Sequence, residues 1–210
     1  MPRKKWSKSK KRNVQAAVEK GVRILFAILI VYMAGYTILT NTRSPEEETK
    51  EVEEHTSFIE LVVPVAQKMQ EIYGVRASIS IAQAILESNW GMSELALNYN
   101  NLYGVKGDPE ESVLMETQEF VDNEWITIQD YFKVYENFAA SIEDHAQLMV
   151  EGTSWNPTLY HPVLNAPTYQ EAAKALQQAG YATDPTYPQK VIDIVEQYEL
   201  YKYDLPVQQQ

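Results

Sequence analysis

Glu87 is the carboxylate that invites a chemical reading of this sequence. It stands in IAQAILESNWGMSELALNYNNLYGVKG (81–107), one turn after Gln83 and three residues before Trp90, with an Asn–Asn doublet and a Gly-punctuated loop behind it. A carboxyl held against an aromatic wall has its ionised form desolvated, which raises its pKa and lets it keep a proton near neutral pH. That is the property of a general acid. An exposed helical Glu in water also fits the pattern, and periodicity alone does not separate the two readings.

Glu116, Glu119, Asp122 and Glu124 supply further carboxylates along one short region. A charged, soluble ribbon edge accounts for most residues of this kind. The chemical reading places one of them across a cleft from Glu87. Hydrolysis of a glycosidic bond needs two flanking carboxylates, one to protonate the leaving oxygen and one to activate water or attack. The fourteen Tyr are a surplus. Tyr99, Tyr103, Tyr181 and Tyr187, with Trp90, Trp125 and Trp155, are either packing residues or a stacking groove for sugar rings.

Several other chemistries are excluded. The chain has no Cys, which removes disulfides, thiolate zinc sites and thiol catalysis together. His55, His145 and His161 are scattered and no H-E-x-x-H occurs, so the sequence offers no metal site. It holds no G-x-S-x-G, P-loop or dinucleotide fingerprint, and implies no cofactor.

The elements that must position these groups follow from periodicity. From Ser57, Phe58, Leu61, Val62, Val65, Met69 and Ile72 keep a helical rhythm, with Pro64 a kink point. A second helix covers Ser78 to Trp90, and a short turn of helix covers Ser93–Leu97. Val113–Val121 and Glu124–Tyr135 alternate and are β-branched and aromatic, which predicts a hairpin with Asp122–Asn123 at its tip. Helices resume at Ala139–Glu151 after Asn137, and at Thr168–Ala179, where Thr168 and Glu171 form a capping box and Gly180 stops the helix. The last helix runs from Pro185 to Leu200 with Asp184 as N-cap, and the tail YDLPVQQQ reads as frayed. The fold class is α+β: a mainly helical domain with a β-hairpin lobe and a cleft between them.

Charge divides the chain. Its formal net charge of −11 conceals a basic head, with nine Lys/Arg against Glu19 in residues 1–23, and an acidic body, with nine Lys/Arg against twenty-eight Asp/Glu thereafter. An acidic body argues against nucleic acid as its partner. Between the two lies VRILFAILIVYMAGYTILT (22–40). At about 1.5 Å per residue these residues span roughly 28 Å, close to the hydrocarbon core of a bilayer. The basic flank predicts a cytoplasmic N-terminus, residues 1–21, and a body outside the cell membrane. A cleaved signal peptide is the rival reading, but the apolar stretch is long for one and no A-x-A-like site follows. Residues 41–56 are acidic and read as a solvated linker, reaching at most roughly 50 Å when extended. The domain proper covers 57–200 and the tail 201–210.

The stretch around Glu87 resembles the signature of a bacterial glucosaminidase family, glycoside hydrolase family 73, with its A-Q-x-x-x-E-S-x-W-G and N-N-L-F/Y-G-x-K-G pieces. METQEFV is similar to the family's T-x-E-Y/F-V strand, YFKVYENFAASIEDHAQLM to its segment ending in D-H, and AGYATDPTYPQKVIDIVEQYEL to its G-Y-A-T-D-P stretch. Tyr131-Phe132-Lys133 and Asn137-Phe138 depart from the pattern at peripheral positions. The resemblance covers roughly Ser57 to Leu200. It implies a lysozyme-like fold and cleavage of the β-1,4 bond between N-acetylglucosamine and N-acetylmuramic acid in peptidoglycan. It also implies Glu87 as catalytic acid, Glu119 as second carboxylate and Tyr181 at the reaction centre. Trp90, Asn100, Asn101 and Tyr103 match the segment that forms the cleft, and Tyr187 is a further candidate for binding substrate. The partners expected are glycan strands and the bilayer through 22–40; the sequence identifies no protein regulator.

Overall fold

The computed structural model describes residues 44–121, 124–182 and 184–206, without the side chains of 45, 118–121 and 125. The expected membrane span, 22–40, and the hairpin tip Asp122–Asn123 lie outside them. Among the described residues, no helix is long and apolar enough to cross a membrane.

The first helix, α1, runs from Pro45 to Tyr73 and so begins inside the acidic stretch expected to be a solvated linker. Its start is a capping box: the Glu47 N–H donates to Ser44 Oγ and the Ser44 N–H to Glu47 Oε2. Glu46, Glu47 and Glu48 occupy the first turn, where the helix dipole favours negative charge. Helical residues advance about 1.5 Å each, less than half the extended rise. The segment's reach is therefore shorter than an extended linker would give.

The compact unit that carries the site begins at Glu53. In it, Phe58, Ile59, Val62, Ala66 and Met69 form the buried face of α1, whereas Leu61 and Ile72, expected inside, are 59% and 55% exposed. At the centre lies α2 (Ala77–Ser88), packed by α6 (Tyr169–Gln178), α7 (Tyr187–Gln197) and a closing 3₁₀ turn (Leu200–Tyr203). Ala77, Ser78, Ser80, Ala82 and Ala84 are small enough to let neighbours approach on every side, and nearly the whole helix is buried. Its N-terminus lacks a local side-chain cap. Asp204 supplies one from 126 residues away, accepting from the Ser78 N–H at 2.8 Å and the Ser78 hydroxyl at 2.9 Å. The tail is therefore not frayed over 201–206. Gln67 and Gln70 also donate to the Tyr203 and Leu205 carbonyls, and Gln70 Oε1 accepts from the Leu205 N–H.

After α3 (Glu94–Tyr99), strands β1 (Ser112–Val121) and β2 (Glu124–Lys133) pair antiparallel, with Val113 opposite Phe132, Thr117 opposite Ile128 and Glu119 opposite Ile126. The helix α4 (Phe138–Glu151) starts on Asn137, whose Oδ1 accepts from the Ala140 N–H. A short helix not foreseen from sequence, α5 (His161–Leu164), follows. In α6, Thr168 Oγ1 accepts from the Glu171 N–H, one of the two bonds of the expected capping box, and Gly180 ends the helix at φ +73°. The last helix starts at Tyr187 rather than Pro185. Asp184 Oδ1 accepts from both the N–H and the hydroxyl of Thr186, which makes a tight turn instead of a cap, and Pro188 fills the first helical turn. The architecture is α+β, mostly helical with one two-stranded sheet among the described residues.

Candidate active site

The carboxylate Glu87 sits in the last turn of α2, and the chain breaks away immediately behind it. Asn89, Trp90 and Gly91 all adopt left-handed backbone, at φ 49°, 61° and 74°. For Trp90 this conformation is strained and needs holding in place. Ser88 Oγ accepts from the Gly91 N–H at 2.7 Å, and a Cβ at position 91 would come within 2.9 Å of the Phe58 ring. Helix α2 therefore ends at Ser88, two residues before the expected end. The turn sends the Trp90 ring away from Glu87. It stacks on His55 with centroids 3.6 Å apart and meets Tyr198 edge-on at 4.8 Å.

Glu87 lies instead on the floor of a cleft of about 870 Å³, lined among others by Tyr103, Thr117, Phe132, Asp144, Tyr160, Tyr181 and Tyr187. The aromatic wall expected from Trp90 is supplied by Tyr187 and Tyr181, whose rings lie 5.8 Å apart. The Tyr187 hydroxyl donates to Glu87 Oε1 at 2.7 Å and accepts from Gln83 Nε2 at 3.0 Å. Burial among these groups pushes the Glu87 pKa up; the Tyr187 hydrogen bond and the Lys190 charge oppose that rise. Glu87 is nonetheless an exposed residue on the cleft surface, so water reaches its carboxyl and moderates the desolvation. Burial and the Glu87 charge raise the Tyr181 and Tyr187 phenols, so both stay protonated as hydrogen-bond donors.

The loop after α3 forms a second wall. Asn101 is buried and its amide organises the turn: Oδ1 accepts from the Tyr103 and Val105 N–H groups, and Nδ2 donates to the Val105 and Lys133 carbonyls. Asn100 donates to the Tyr135 and Glu136 carbonyls. These amides are engaged within the protein, so the structure brings Tyr103 into the cleft but not Asn100 or Asn101. The Tyr103 hydroxyl bonds Ser80 at 2.9 Å, and its ring stacks on His145 at 3.9 Å. Burial lowers the His145 pKa to about 3 against the opposing charge of Asp144, which keeps the imidazole neutral.

Sequence reading missed the Lys–Asp pairs around the cleft. Lys190 meets Asp184 at 2.6 Å, Lys133 meets Asp144 at 3.0 Å, and Lys106 meets Asp130 at 2.7 Å. The Tyr135 hydroxyl also donates to Asp144. The one available signal was Lys190 standing three residues after Tyr187, on the same helix face. Glu119 lies in β1, two residues beyond Thr117, and strand parity puts position 119 on the sheet face to which Thr117 and Phe132 belong. Its side chain, like that of Trp125, lies outside the described residues. A carboxyl with a raised pKa in an open cleft lined by aromatic residues can deliver a proton to an oxygen of a bound substrate.

Comparison with known proteins gives consistent matches. The sequence profile of the glucosaminidase family, described as mannosyl-glycoprotein endo-beta-N-acetylglucosaminidase, matches residues 63–200. Exo-glucosaminidase LytG of Bacillus subtilis (strain 168) is 48% identical over 184 residues, covering 86% of this chain and 65% of the relative. A probable N-acetylmuramidase of Lactococcus lactis subsp. cremoris (strain MG1363) is 34% identical over 205 residues, 94% of this chain and 46% of the relative. The chain thus spans about two thirds of the first relative and about half of the second. Among solved structures, the catalytic domain of the autolysin Auto from Listeria monocytogenes superimposes with a TM-score of 0.64 at 35% identity, over 78% of this chain and 99% of that one.

Proposed function

Because the chain belongs to the glucosaminidase family, we propose that it hydrolyses peptidoglycan as an N-acetylglucosaminidase, cutting the β-1,4 bond between N-acetylglucosamine and N-acetylmuramic acid with Glu87 as general acid. The observation that carries this reading is the Glu87–Tyr187 contact of 2.7 Å on the cleft floor. One carboxyl oxygen is held by the phenol, which leaves the other to carry a proton to the glycosidic oxygen as the bond to the anomeric carbon breaks. Burial favours the protonated form that this step needs.

Glu119 is the second carboxylate in this scheme. Support comes from its place on the strand face shared with Thr117, a cleft residue. Acting as a base, it activates water and inverts the anomer, with the two carboxyls about 6.5–9.5 Å apart. The other course is assistance by the substrate's own N-acetyl group, oriented by Tyr181, and then Glu119→Gln retains much of the rate. Proton NMR of the first product anomer separates the two: a retained β-product rules out simple inversion.

Residues 22–40 anchor the enzyme in the bilayer with residues 1–21 in the cytoplasm and the catalytic domain outside. The length of the apolar stretch and its basic flank support this. Recovery of the intact protein in a carbonate-washed soluble fraction would refute it.

The relative named as a probable N-acetylmuramidase keeps a second bond in play. Mass spectrometry of borohydride-reduced digests of purified peptidoglycan decides between them. A glucosaminidase leaves reduced N-acetylglucosamine at the new ends; reduced N-acetylmuramic acid there would refute the proposal. Fragment length in the same digest distinguishes internal cutting, which we favour, from the end-wise release suggested by the name of the B. subtilis relative.

A further inference from the structure

We propose that Trp155 is a stacking platform for a sugar ring of the glycan strand beyond the bond being cut, an inference that rests on the substrate reading above. At 74% exposure it is the most exposed large hydrophobic side chain among the described residues. A single apolar side chain at a surface is ordinary, so exposure alone decides nothing. Its setting does.

The backbone under Trp155 is fixed. Thr153 and Asn156 exchange N–H to carbonyl hydrogen bonds at 3.0 Å in both directions across the tight turn 153–156. Thr153 Oγ1 also accepts from the Asn156 N–H, and Asn156 Oδ1 accepts from the N–H and hydroxyl of Thr158. Gly152, at φ +67°, lets the turn fold back on the end of α4, where a Cβ would strike the Asn156 carbonyl and Pro157. On so rigid a turn the backbone needs no further ordering when a ligand meets the side chain, and only the two torsions of the indole remain to be fixed.

The turn also continues the cleft. Gly152 and Thr153 line it, and ring contacts among three tyrosines that also line it run from Glu87 to the end of their loop. Tyr187 touches Glu87, Tyr181 lies 5.8 Å from Tyr187, and Tyr160 lies 6.1 Å from Tyr181, at the other end of the loop that bears Trp155. In sequence the indole is flanked by the polar Ser154, Asn156 and Thr158, with Pro157 the one exposed apolar residue beside it in the turn. A planar aromatic surface carried on a mainly polar turn suits the apolar face of a sugar ring, whose hydroxyls can meet the polar neighbours.

The test compares wild type, Trp155→Ala and Trp155→Phe on purified glycan strands stripped of peptides, by release of reducing ends. Trp155→Ala is expected to raise KM about fivefold to tenfold with kcat within about twofold, and Trp155→Phe to recover part of the loss. Titration of a Glu87→Gln protein with the same strands should change tryptophan fluorescence, and adding Trp155→Phe should abolish most of that change. A KM within about twofold of wild type for Trp155→Ala overturns the inference while leaving the proposed activity standing. A wild-type protein that releases no reducing ends from the strands overturns both.

Discussion

Replacing Tyr187 by Phe removes one hydroxyl from the cleft floor and should move activity and stability in separable ways. That hydroxyl donates to Glu87 Oε1 at 2.7 Å and accepts from the buried Gln83 Nε2 at 3.0 Å. A hydrogen bond to a charged acceptor contributes about 1.5–3 kcal/mol. Water entering the cleft can replace part of it, so about 1 kcal/mol of stabilisation of the ionised carboxyl is the realistic loss. Removing it adds to the effect of burial, raising the Glu87 pKa further from its ordinary value. As the proposed general acid Glu87 must be protonated to act, so the alkaline limb of the kcat/KM profile should move to higher pH. Meanwhile the Gln83 amide loses its acceptor inside the core, at a cost of about 1–3 kcal/mol. For a domain of this size that corresponds to a Tm lower by roughly 2–12 °C. The assay is a pH profile of kcat/KM on soluble glycan fragments, run well below the Tm found by calorimetry. An alkaline limb that stays in place or moves to lower pH, while Tm falls, would show that Tyr187 is packing and does not hold the carboxylate.

Asp204→Ala removes the distant cap of α2 and the 3.6 Å pairing with Arg76. It should cost about 1–3 kcal/mol in urea unfolding; an unchanged midpoint would refute the capping role. Glu87→Gln should stabilise the fold at alkaline pH. Because the folded-state pKa of Glu87 is raised, wild type loses stability as pH rises through that value, and the uncharged Gln does not. The difference in Tm between the two should therefore shrink as pH falls below the ordinary carboxylate range. A wild type that is the more stable at about pH 8 contradicts the burial argument.

What was legible in the sequence was what local spacing encodes. Alternation placed both strands, Asn137 and Thr168 marked the helix starts, and the run around Glu87 marked a carboxyl that the structure places in the cleft. Contacts between distant segments were not legible. Nothing near Ser78 announces a cap from Asp204, so the tail read as frayed. Trp90 stands close to Glu87 in sequence, but three consecutive left-handed residues swing its ring onto His55. Asn100 and Asn101 carry the chemistry of a binding surface, yet the turn they build engages their amides. The acidic run from Pro45 read as linker because its few apolar residues hide a helix sustained by a capping box and first-turn acids. Asp184 has the right type for an N-cap, but Pro188 shifts the helix start to Tyr187 and leaves Asp184 to the turn and to Lys190.

The proposed activity turns on Glu87 delivering the proton. Its most direct test is the rate at which Glu87→Gln releases reducing ends from purified peptidoglycan, beside wild type at matched concentration and with the fold checked by circular dichroism. General acid catalysis contributes about 10²–10⁴-fold, so the rate of Glu87→Gln should fall at least about a hundredfold, to background. A folded Glu87→Gln protein working within about tenfold of wild type would contradict it.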